Sequence, residues 1–214
     1  MSTVSSAYPN TDAPEQSRLD YLDEIMVDHN NFRDLHARFL DAHRAGDDRL
    51  MNSIAKTLVR EVSIHAVGEE LSVYKIMDHH GLHDSADHSR DKHQALHNAF
   101  NEVDTNTTSS LGRERFAAAV TNACNILFGH AEEEEKDFYP KLSSILDADQ
   151  RSKLAVEFLK ARDYSPSHPH PAAPNTGGIT EQAAALLVKP VDAITDMTRS
   201  FVKLKHKHAS PPVS

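Results

Sequence analysis

Two stretches of the chain repeat one pattern of histidine, glutamate and tyrosine. HAVGEELSVY at residues 65–74 and HAEEEEKDFY at residues 130–139 align without a gap. The aligned pairs are His65 with His130, Glu69 with Glu134, Glu70 with Glu135 and Tyr74 with Tyr139. Imidazole nitrogens and carboxylate oxygens are common ligands of first-row metal ions. Since the chain contains 15 histidines, metal binding is the first chemistry that this repeat suggests.

Helical geometry would bring the repeated residues together. Residues four apart on an α-helix differ by about 40° in direction and about 6 Å in height, so their side chains aim at one place. Three pairs have this spacing: His65 with Glu69, His93 with His97, and His130 with Glu134. His29 precedes His93 by almost the interval that separates the two repeated stretches, which indicates a duplicated helical hairpin.

The hydrophobic pattern supplies the helices that must position these residues. Apolar residues recur at three- and four-residue spacing over residues 17–45, 48–80, 84–103 and 110–140, which predicts four amphipathic helices. Gly81 and Pro140 are expected to end or bend the second and fourth of them. A shorter fifth helix follows, with Asp147 as its N-cap and Gln150 at the capping-box position.

If the four long helices form an up-down bundle, the repeated polar residues meet in the middle of an apolar core. Buried polar groups without partners cost about 1–3 kcal/mol each, and two buried carboxylates also repel one another. Two first-row metal ions would remove both penalties, with Glu69 and Glu134 as bridges and at least one position left open. Mixed nitrogen and oxygen ligands favour iron, although manganese, cobalt or zinc could fill such a site. The candidate metal ligands are His29, His65, Glu69, His93, His97, His130 and Glu134.

The order of these elements resembles the hemerythrin-like, or HHE cation-binding, family over roughly residues 18–145. The elements are His29, HxxxE at 65–69, HxxxH at 93–97 and HxxxE at 130–134. The resemblance implies an all-α, up-down four-helix bundle with a non-haem di-iron centre that binds or reacts with dioxygen. By position, His93, His97 and His130 would bind one iron and His29 and His65 the other. The two ions would be Fe2+ or Fe3+, with an oxo or hydroxo bridge when oxidised.

Two features differ from the respiratory members of that family. Those proteins close the pattern with HxxxxD, whereas the fourth element here is HxxxE, and Glu135 at the aspartate spacing lies about 140° around the helix from His130. The interval between Glu69 and His93 is also longer than in the compact oxygen carriers. Both features are more typical of the broader HHE group and argue against reversible oxygen transport.

The chain divides into five predicted segments. Residues 1–16 read as a disordered leader and residues 17–162 as the bundle with its fifth helix. Residues 163–180 contain the stretch SPSHPHPAAPNTGG, which is typical of a flexible linker. Residues 181–205 predict an amphipathic helix that docks on the bundle or a sister subunit, or binds another protein. Residues 206–214 are expected to be a disordered tail.

Composition limits the classes of function. A net charge of −9 argues against nucleic-acid binding, which needs a basic surface. A single cysteine excludes an intrachain disulfide and fits a reducing compartment. No apolar run approaches the roughly 18 residues of a membrane span, and no targeting signal is visible at the N-terminus. We therefore expect a cytoplasmic protein without a transmembrane segment.

Polar residues outside the seven candidates receive simpler interpretations. Tyr74 and Tyr139 either pack at the rim of the site or donate a hydrogen bond to a ligand. Cys124 is interpreted as core filling. Glutamates next to the candidates are assigned to a solvated face: Glu70, Glu132, Glu133 and Glu135. Histidines outside the pattern are assigned to the rim, to an exposed turn at residues 78–83 or to flexible segments, the last being His168, His170, His206 and His208.

These observations lead to one functional hypothesis and two alternatives. The leading hypothesis is a di-iron protein that binds, senses or buffers dioxygen or iron, with dioxygen or a related diatomic or peroxide ligand as its partner. Dedicated substrate chemistry is not expected, because no other catalytic constellation is visible. The first alternative is a di-iron oxidase, peroxidase or nitric-oxide-handling enzyme. The second is an iron- or oxygen-dependent switch that recruits a protein through residues 181–205.

Overall fold

A computed structural model of the protein describes residues 18–170 and 192–209, which contain α-helices and no strand. A π-helical turn, Glu134–Phe138, separates α6 from α7. The α-helices in chain order are α1 (Tyr21–Ala45), α2 (Asp48–Leu71), α3 (Val73–His79), α4 (His83–Asp104), α5 (Thr108–Leu111), α6 (Arg113–Glu133), α7 (Tyr139–Ile145) and α8 (Ala148–Tyr164). The prediction of an all-α fold is confirmed.

Short polar residues and glycines set the helix ends. The Asp20 carboxylate accepts a hydrogen bond from the backbone N–H of Leu22 and begins α1. Gly46, with φ of 70°, ends α1 in the left-handed conformation that glycine adopts without strain. Asp147 and Gln150 form the predicted capping box at the start of α8.

Two hydrophobic clusters form the core, one towards each end of the bundle. The first includes Phe32, Leu58, Leu96 and Leu127, and the second includes Ile25, Val73, Ala86 and Tyr139. Along the chain, α1 and α4 pass from the second cluster to the first, whereas α2 with α3 and α6 with α7 pass from the first to the second. Successive long helices therefore run in opposite directions, as the up-down prediction requires. The candidate ligands lie between the two clusters.

The second and fourth predicted helices are each interrupted just beyond the candidate ligands. The second breaks at Ser72, whose hydroxyl donates to the Gly68 carbonyl at 2.6 Å. In the fourth, the Tyr139 N–H donates to the Glu134 carbonyl five residues back, which makes one π turn. Pro140 explains this turn, because its ring has no N–H and would clash with the carbonyl four residues earlier.

Helix α8 lies against α1 and α2 and covers the first hairpin. Gly68 permits this close approach: a Cβ atom at that position would meet Phe158 and Arg162 side-chain atoms at 3.3 Å. Phe158 is fully buried, and its ring packs edge-on against the ring of His65. Helix α8, the fifth helix of the sequence prediction, is thus part of the core that surrounds the candidate site.

The C-terminal segment departs from the prediction of a helix over residues 181–205. Residues 181–191 lie outside the described residues, residues 192–196 are helical, and residues 199–209 contain no helix. In that last stretch, half-buried residues alternate with exposed ones: Val202, Leu204, His206 and His208 face inward between outward-facing neighbours. Such two-residue alternation belongs to extended chain, whereas a helix would repeat every 3.6 residues. The expected disordered tail is likewise ordered over residues 206–209.

The segment predicted as a flexible linker is held against the bundle over residues 163–170. His168 is buried between two carboxylates, with its Nδ1 at 2.9 Å from Asp104 and its Nε2 at 3.0 Å from Asp196. The imidazole of His170 lies 3.1 Å from the carboxylate of Asp192. The assignment of these two histidines to a flexible segment was wrong, since both join the two described parts of the chain. The prediction for residues 1–16 and 171–180 falls outside the described residues.

Among the described residues, we find no helix with the length and apolarity needed to cross a membrane.

Candidate metal centre

Six of the seven predicted ligands meet at one level of the bundle, between the two hydrophobic clusters. They form two groups of four, and within each group the candidate ligand atoms all lie within 4.8 Å of one another. The first group is His29, His65, Glu69 and Glu134, and the second is His93, His130, Glu69 and Glu134. All six side chains are at most 2% exposed. Because both glutamates belong to both groups, they lie where bridging ligands would lie.

The Nε2 atoms of the imidazoles face the carboxylate oxygens. In the first group, His65 Nε2 is 3.2 Å from Glu69 and His29 Nε2 is 3.7 Å from Glu134. In the second group, His93 Nε2 is 3.4 Å from Glu69 and His130 Nε2 is 3.3 Å from Glu134. The two halves therefore repeat one geometry, as the duplicated hairpin predicts.

Three of the four imidazoles have a carboxylate at the opposite nitrogen. His29 Nδ1 lies 2.7 Å from Glu135, His65 Nδ1 lies 3.1 Å from Asp28, and His93 Nδ1 lies 2.6 Å from Glu70, each at hydrogen-bonding distance. A carboxylate that accepts the Nδ1–H proton leaves the lone pair of a neutral imidazole on Nε2. This is the arrangement that orients histidine for metal binding.

With those tautomers, the Nε2 lone pairs face the middle of the site. Burial lowers the pKa of His93, but contacts with Glu69 and Glu70 outweigh burial and raise that pKa to about 10, so a metal ion must displace a proton from this imidazole. His29 Nε2 and His65 Nε2 lie 3.3 Å apart, a distance at which two acceptor atoms repel. Both nitrogens of His130 and Oε2 of Glu134 are buried without a hydrogen-bond partner. Orphaned acceptors are rare in folded proteins because each costs free energy. Cations between the Nε2 atoms and the carboxylates would give these central atoms partners, so the residues fit metal ions of the kind that nitrogen and oxygen ligands hold.

The two central carboxylates differ in charge when only protons are available. Burial raises the pKa of Glu69, but the nearby imidazoles of His65 and His93 outweigh burial and hold that pKa below its usual range. Burial and then the charge of Glu69 raise the pKa of Glu134 well above its usual range, so Glu134 retains a proton. A metal ion that binds both carboxylates must displace this proton.

Two buried tyrosines hold the central carboxylates. The Tyr74 hydroxyl donates to Glu134 at 2.8 Å, and the Tyr139 hydroxyl donates to Glu69. Burial raises the pKa of both phenols well above the usual value, and the neighbouring carboxylates add to this effect, so the phenols remain hydrogen-bond donors. Of the two interpretations of these tyrosines, the structure supports hydrogen bonding to the site over rim packing.

His97 is the predicted ligand that the structure leaves out of both groups. It lies one helical turn after His93 on α4, and its Nε2 is buried without a hydrogen-bond partner. Burial lowers the pKa of this imidazole, which favours its neutral form. Its participation in metal binding remains a prediction.

The carboxylates behind the imidazoles are the residues that the sequence interpretation missed. Glu70 is 1% exposed and Glu135 is bonded to both His29 and Arg33, so assigning these two residues to a solvated face was wrong. The repeat contained a signal, because Glu70 and Glu135 are aligned and each supports a histidine of the other hairpin. No comparable signal marked Asp28. Glu132 is exposed, as expected.

Comparisons with known proteins agree with this geometry. The family profile described as hemerythrin HHE cation-binding domain matches residues 20–142, more than half of the chain. The chain is also 27% identical over 183 residues to an uncharacterised hemerythrin-like protein of Schizosaccharomyces pombe, covering 84% of this chain and 86% of that relative. No solved structure matches the chain significantly. The chain therefore belongs to the hemerythrin HHE cation-binding domain family.

Proposed function

We propose that this protein holds two iron ions and uses them to bind, sense or buffer dioxygen or iron. The observation that carries the proposal is the convergence of four Nε2 atoms and two shared carboxylates in a buried site where several of these atoms have no hydrogen-bond partner. Two groups of four that share Glu69 and Glu134 suit a pair of ions better than a single ion. One ion would contact His29 and His65, and the other His93 and His130.

The chemistry of the donors supports iron as the metal. The site offers imidazole and carboxylate, which suit iron, manganese and related ions, and it offers no thiolate. Cys124 lies in the first hydrophobic cluster, where burial raises its pKa to about 12 and keeps the thiol protonated. Bound iron would supply an oxidisable centre with an open position for a small ligand.

His97 is retained in this proposal as a ligand on the side of His93 and His130. Its buried Nε2 has no partner among the described residues and lies on the helix that carries His93. Removing a ligand to one ion should lower the affinity for that ion while leaving the other in place.

The surrounding residues would bind, orient and protect the ions. Tyr74 and Tyr139 hold in place, through their hydroxyl protons, the two carboxylates that both groups share. The hydrophobic clusters on both sides exclude water from the two ends of the site. Glu135 extends from His29 towards the surface and pairs there with Arg33 at 2.7 Å, so it can accept or return a proton at His29 Nδ1.

Reconstitution with iron tests this function. The protein is loaded with ferrous iron without air, freed of excess metal and exposed to dioxygen. We expect two irons per chain, stoichiometric oxygen consumption and new absorption in the near ultraviolet. His36→Ala is the control, since His36 packs on Phe128 away from the site. A protein that remains colourless and metal-free would contradict the proposal, whereas sustained turnover of peroxide or nitric oxide would favour the enzyme alternative.

A further inference from the structure

The C-terminal segment runs along α1 towards the candidate metal centre. The Lys203 carbonyl accepts from Arg38, the backbone of His206 bonds to the side chain of Asn31, and His208 reaches Glu24 and Asp28. The segment is therefore antiparallel to α1. Val202 and Leu204 pack against the first hydrophobic cluster, which fixes the path of the chain.

His208 ends this path on the carboxylate that supports one of the candidate ligands. Its Nε2 lies 2.9 Å from Oδ1 of Asp28, and Oδ2 of Asp28 lies 3.1 Å from Nδ1 of His65. Asp28 is 1% exposed, so these contacts are shielded from solvent. Arg162 of α8 also donates to Oδ2 of Asp28 and holds the carboxylate from the other side.

His208 also separates Asp28 from open solvent. A surface cavity of about 500 Å³ lies beside α2 and α8, and its lining includes Ile64, Leu159, Arg162 and His208. Asp28 does not line this cavity, but His208 and Arg162, which do, both contact Asp28. Loss of the His208 side chain would therefore remove a hydrogen bond and expose Asp28 to water from the cavity.

Residues 192–209, the described part of the C-terminal segment, make no such connection to the other half of the site. The carboxylate behind His93 is Glu70 of α2, and neither nitrogen of His130 has a hydrogen-bond partner. Among the described residues of the C-terminal segment, His208 is the histidine that contacts a carboxylate behind a candidate ligand, namely Asp28 behind His65. The effect of that segment should accordingly be confined to the group that contains His65.

We propose that His208 is a positioning residue for the His29–His65 group, so that the C-terminal segment controls how firmly one of the two metal ions is held. This inference rests on the proposed function. His208 acts through Asp28, which orients the imidazole of His65 with its Nε2 towards the metal. Release of the segment, for example by a protein that competes for it, would weaken one ion and spare the other.

Metal release from the full chain tests the inference. Protein loaded with Co2+ is mixed with excess chelator, and the loss of cobalt absorption is followed for the wild type, His208→Ala, His208→Gln and His206→Ala. His208→Ala should release one ion faster, by up to about tenfold, because loss of the carboxylate that contacts the ligand directly costs about tenfold or more and His208 acts through that carboxylate. His208→Gln retains an N–H donor and should restore part of the difference. His206→Ala is the matched control, because His206 contacts Asn31 through its backbone.

Combining His208→Ala with the loss of one ligand in each group distinguishes positioning from general destabilisation. In His29→Ala, where the remaining ion occupies the His93–His130 group, adding His208→Ala should leave the release rate unchanged. In His130→Ala, where the remaining ion occupies the other group, His208→Ala should accelerate release. Equal rates for wild type and His208→Ala, or equal acceleration of both ions, would overturn this inference and leave the di-iron proposal standing. A wild-type chain that binds no cobalt, manganese or iron would overturn both.

Discussion

The hairpin of α1 and α2 and the hairpin of α4 and α6 present the same side chains to the site, yet they support them differently. In the first hairpin, both histidines have a carboxylate at Nδ1, whereas His130 in the second hairpin has none. The alignment that matches His29 with His93 also matches Asp28 with Lys92, so the carboxylate has a lysine as its counterpart. Lys92 pairs instead with Glu133 at 3.3 Å near the surface.

This difference teaches that duplication kept the ligand geometry while the surroundings diverged. Asp28 is reached by Arg162 of α8 and by His208 of the C-terminal segment, two elements outside the duplicated unit. The first half of the site is therefore stabilised by contacts from α8 and the C-terminal segment. The second half relies on the four-helix bundle itself.

The largest effect should follow from removing a carboxylate that the two halves share. Glu69→Ala should abolish binding of both ions, whereas His130→Ala should remove one, because Glu69 belongs to both groups and His130 to one. Elemental analysis of the purified, iron-loaded variants measures the number of ions per chain. Retention of both ions by Glu69→Ala would show that the glutamate is not shared.

Asp28, in the first half, should contribute more to stability than Lys92, the residue at the equivalent position in the second half. Asp28→Ala removes the buried carboxylate that Arg162, His65 and His208 share, and leaves Arg162 with Glu61 as its charge partner. It should lower the free energy of unfolding by about 3 kcal/mol, the low end for breaking a buried pair. Lys92→Ala removes a part-exposed ion pair and should cost about 1 kcal/mol or less. Urea unfolding of the metal-free proteins compares the two. Equal losses would contradict the asymmetry.

Acid should weaken the first half through the same residue. Burial raises the pKa of Asp28, but Arg162, His208 and His65 outweigh burial and hold that pKa far below its usual range. Its contribution to stability is therefore complete above the unfolded pKa of about 4 and is lost progressively as the pH falls below that value. Between pH 6 and pH 3, the free energy of unfolding should fall less steeply with decreasing pH in Asp28→Asn than in the wild type. Parallel curves would contradict the assignment.

The smallest effect on metal affinity should come from Glu135, the carboxylate behind a histidine that lies nearest to the surface. Glu135→Gln keeps an acceptor for His29 Nδ1 but removes the charge that pairs with Arg33. We expect a loss of about tenfold in affinity for one ion, at the low end for changing a group that is hydrogen-bonded to a metal ligand. Competitive chelation measures the affinity, with Glu132→Gln as the exposed control on the same helix turn. A larger loss than that of His65→Ala would reverse the assigned order.

The sequence was sufficient for the bundle and for the level at which the polar residues meet. Apolar spacing defined the long helices, and the offset between His65 and His130 defined the repeat, because both depend on local helical geometry. Asp147 and Gln150 marked the start of α8 for the same reason. Six of the seven candidate ligands meet as this reasoning requires.

The remaining features depend on contacts between distant parts of the chain. Nothing near Asp28 in sequence indicates that His208 and Arg162 will reach it. Residues 202–205 were assigned to a helix and residues 206–208 to a disordered tail, although the period-two spacing of residues 202–208 favours extended chain. The roles of Glu70 and Glu135 follow from helix packing across the bundle, which brings each carboxylate to a histidine of the opposite hairpin.

Crystals of the iron-loaded protein offer the most direct test of the central claim. Anomalous difference density measured at the iron absorption edge should show two peaks per chain, about 3.5–4 Å apart, as expected for a pair of ions with shared ligands. One peak should lie among His29, His65 and the two shared glutamates, and the other should lie among His93, His130 and the same glutamates. A single peak, or iron bound only at surface histidines, would contradict the account.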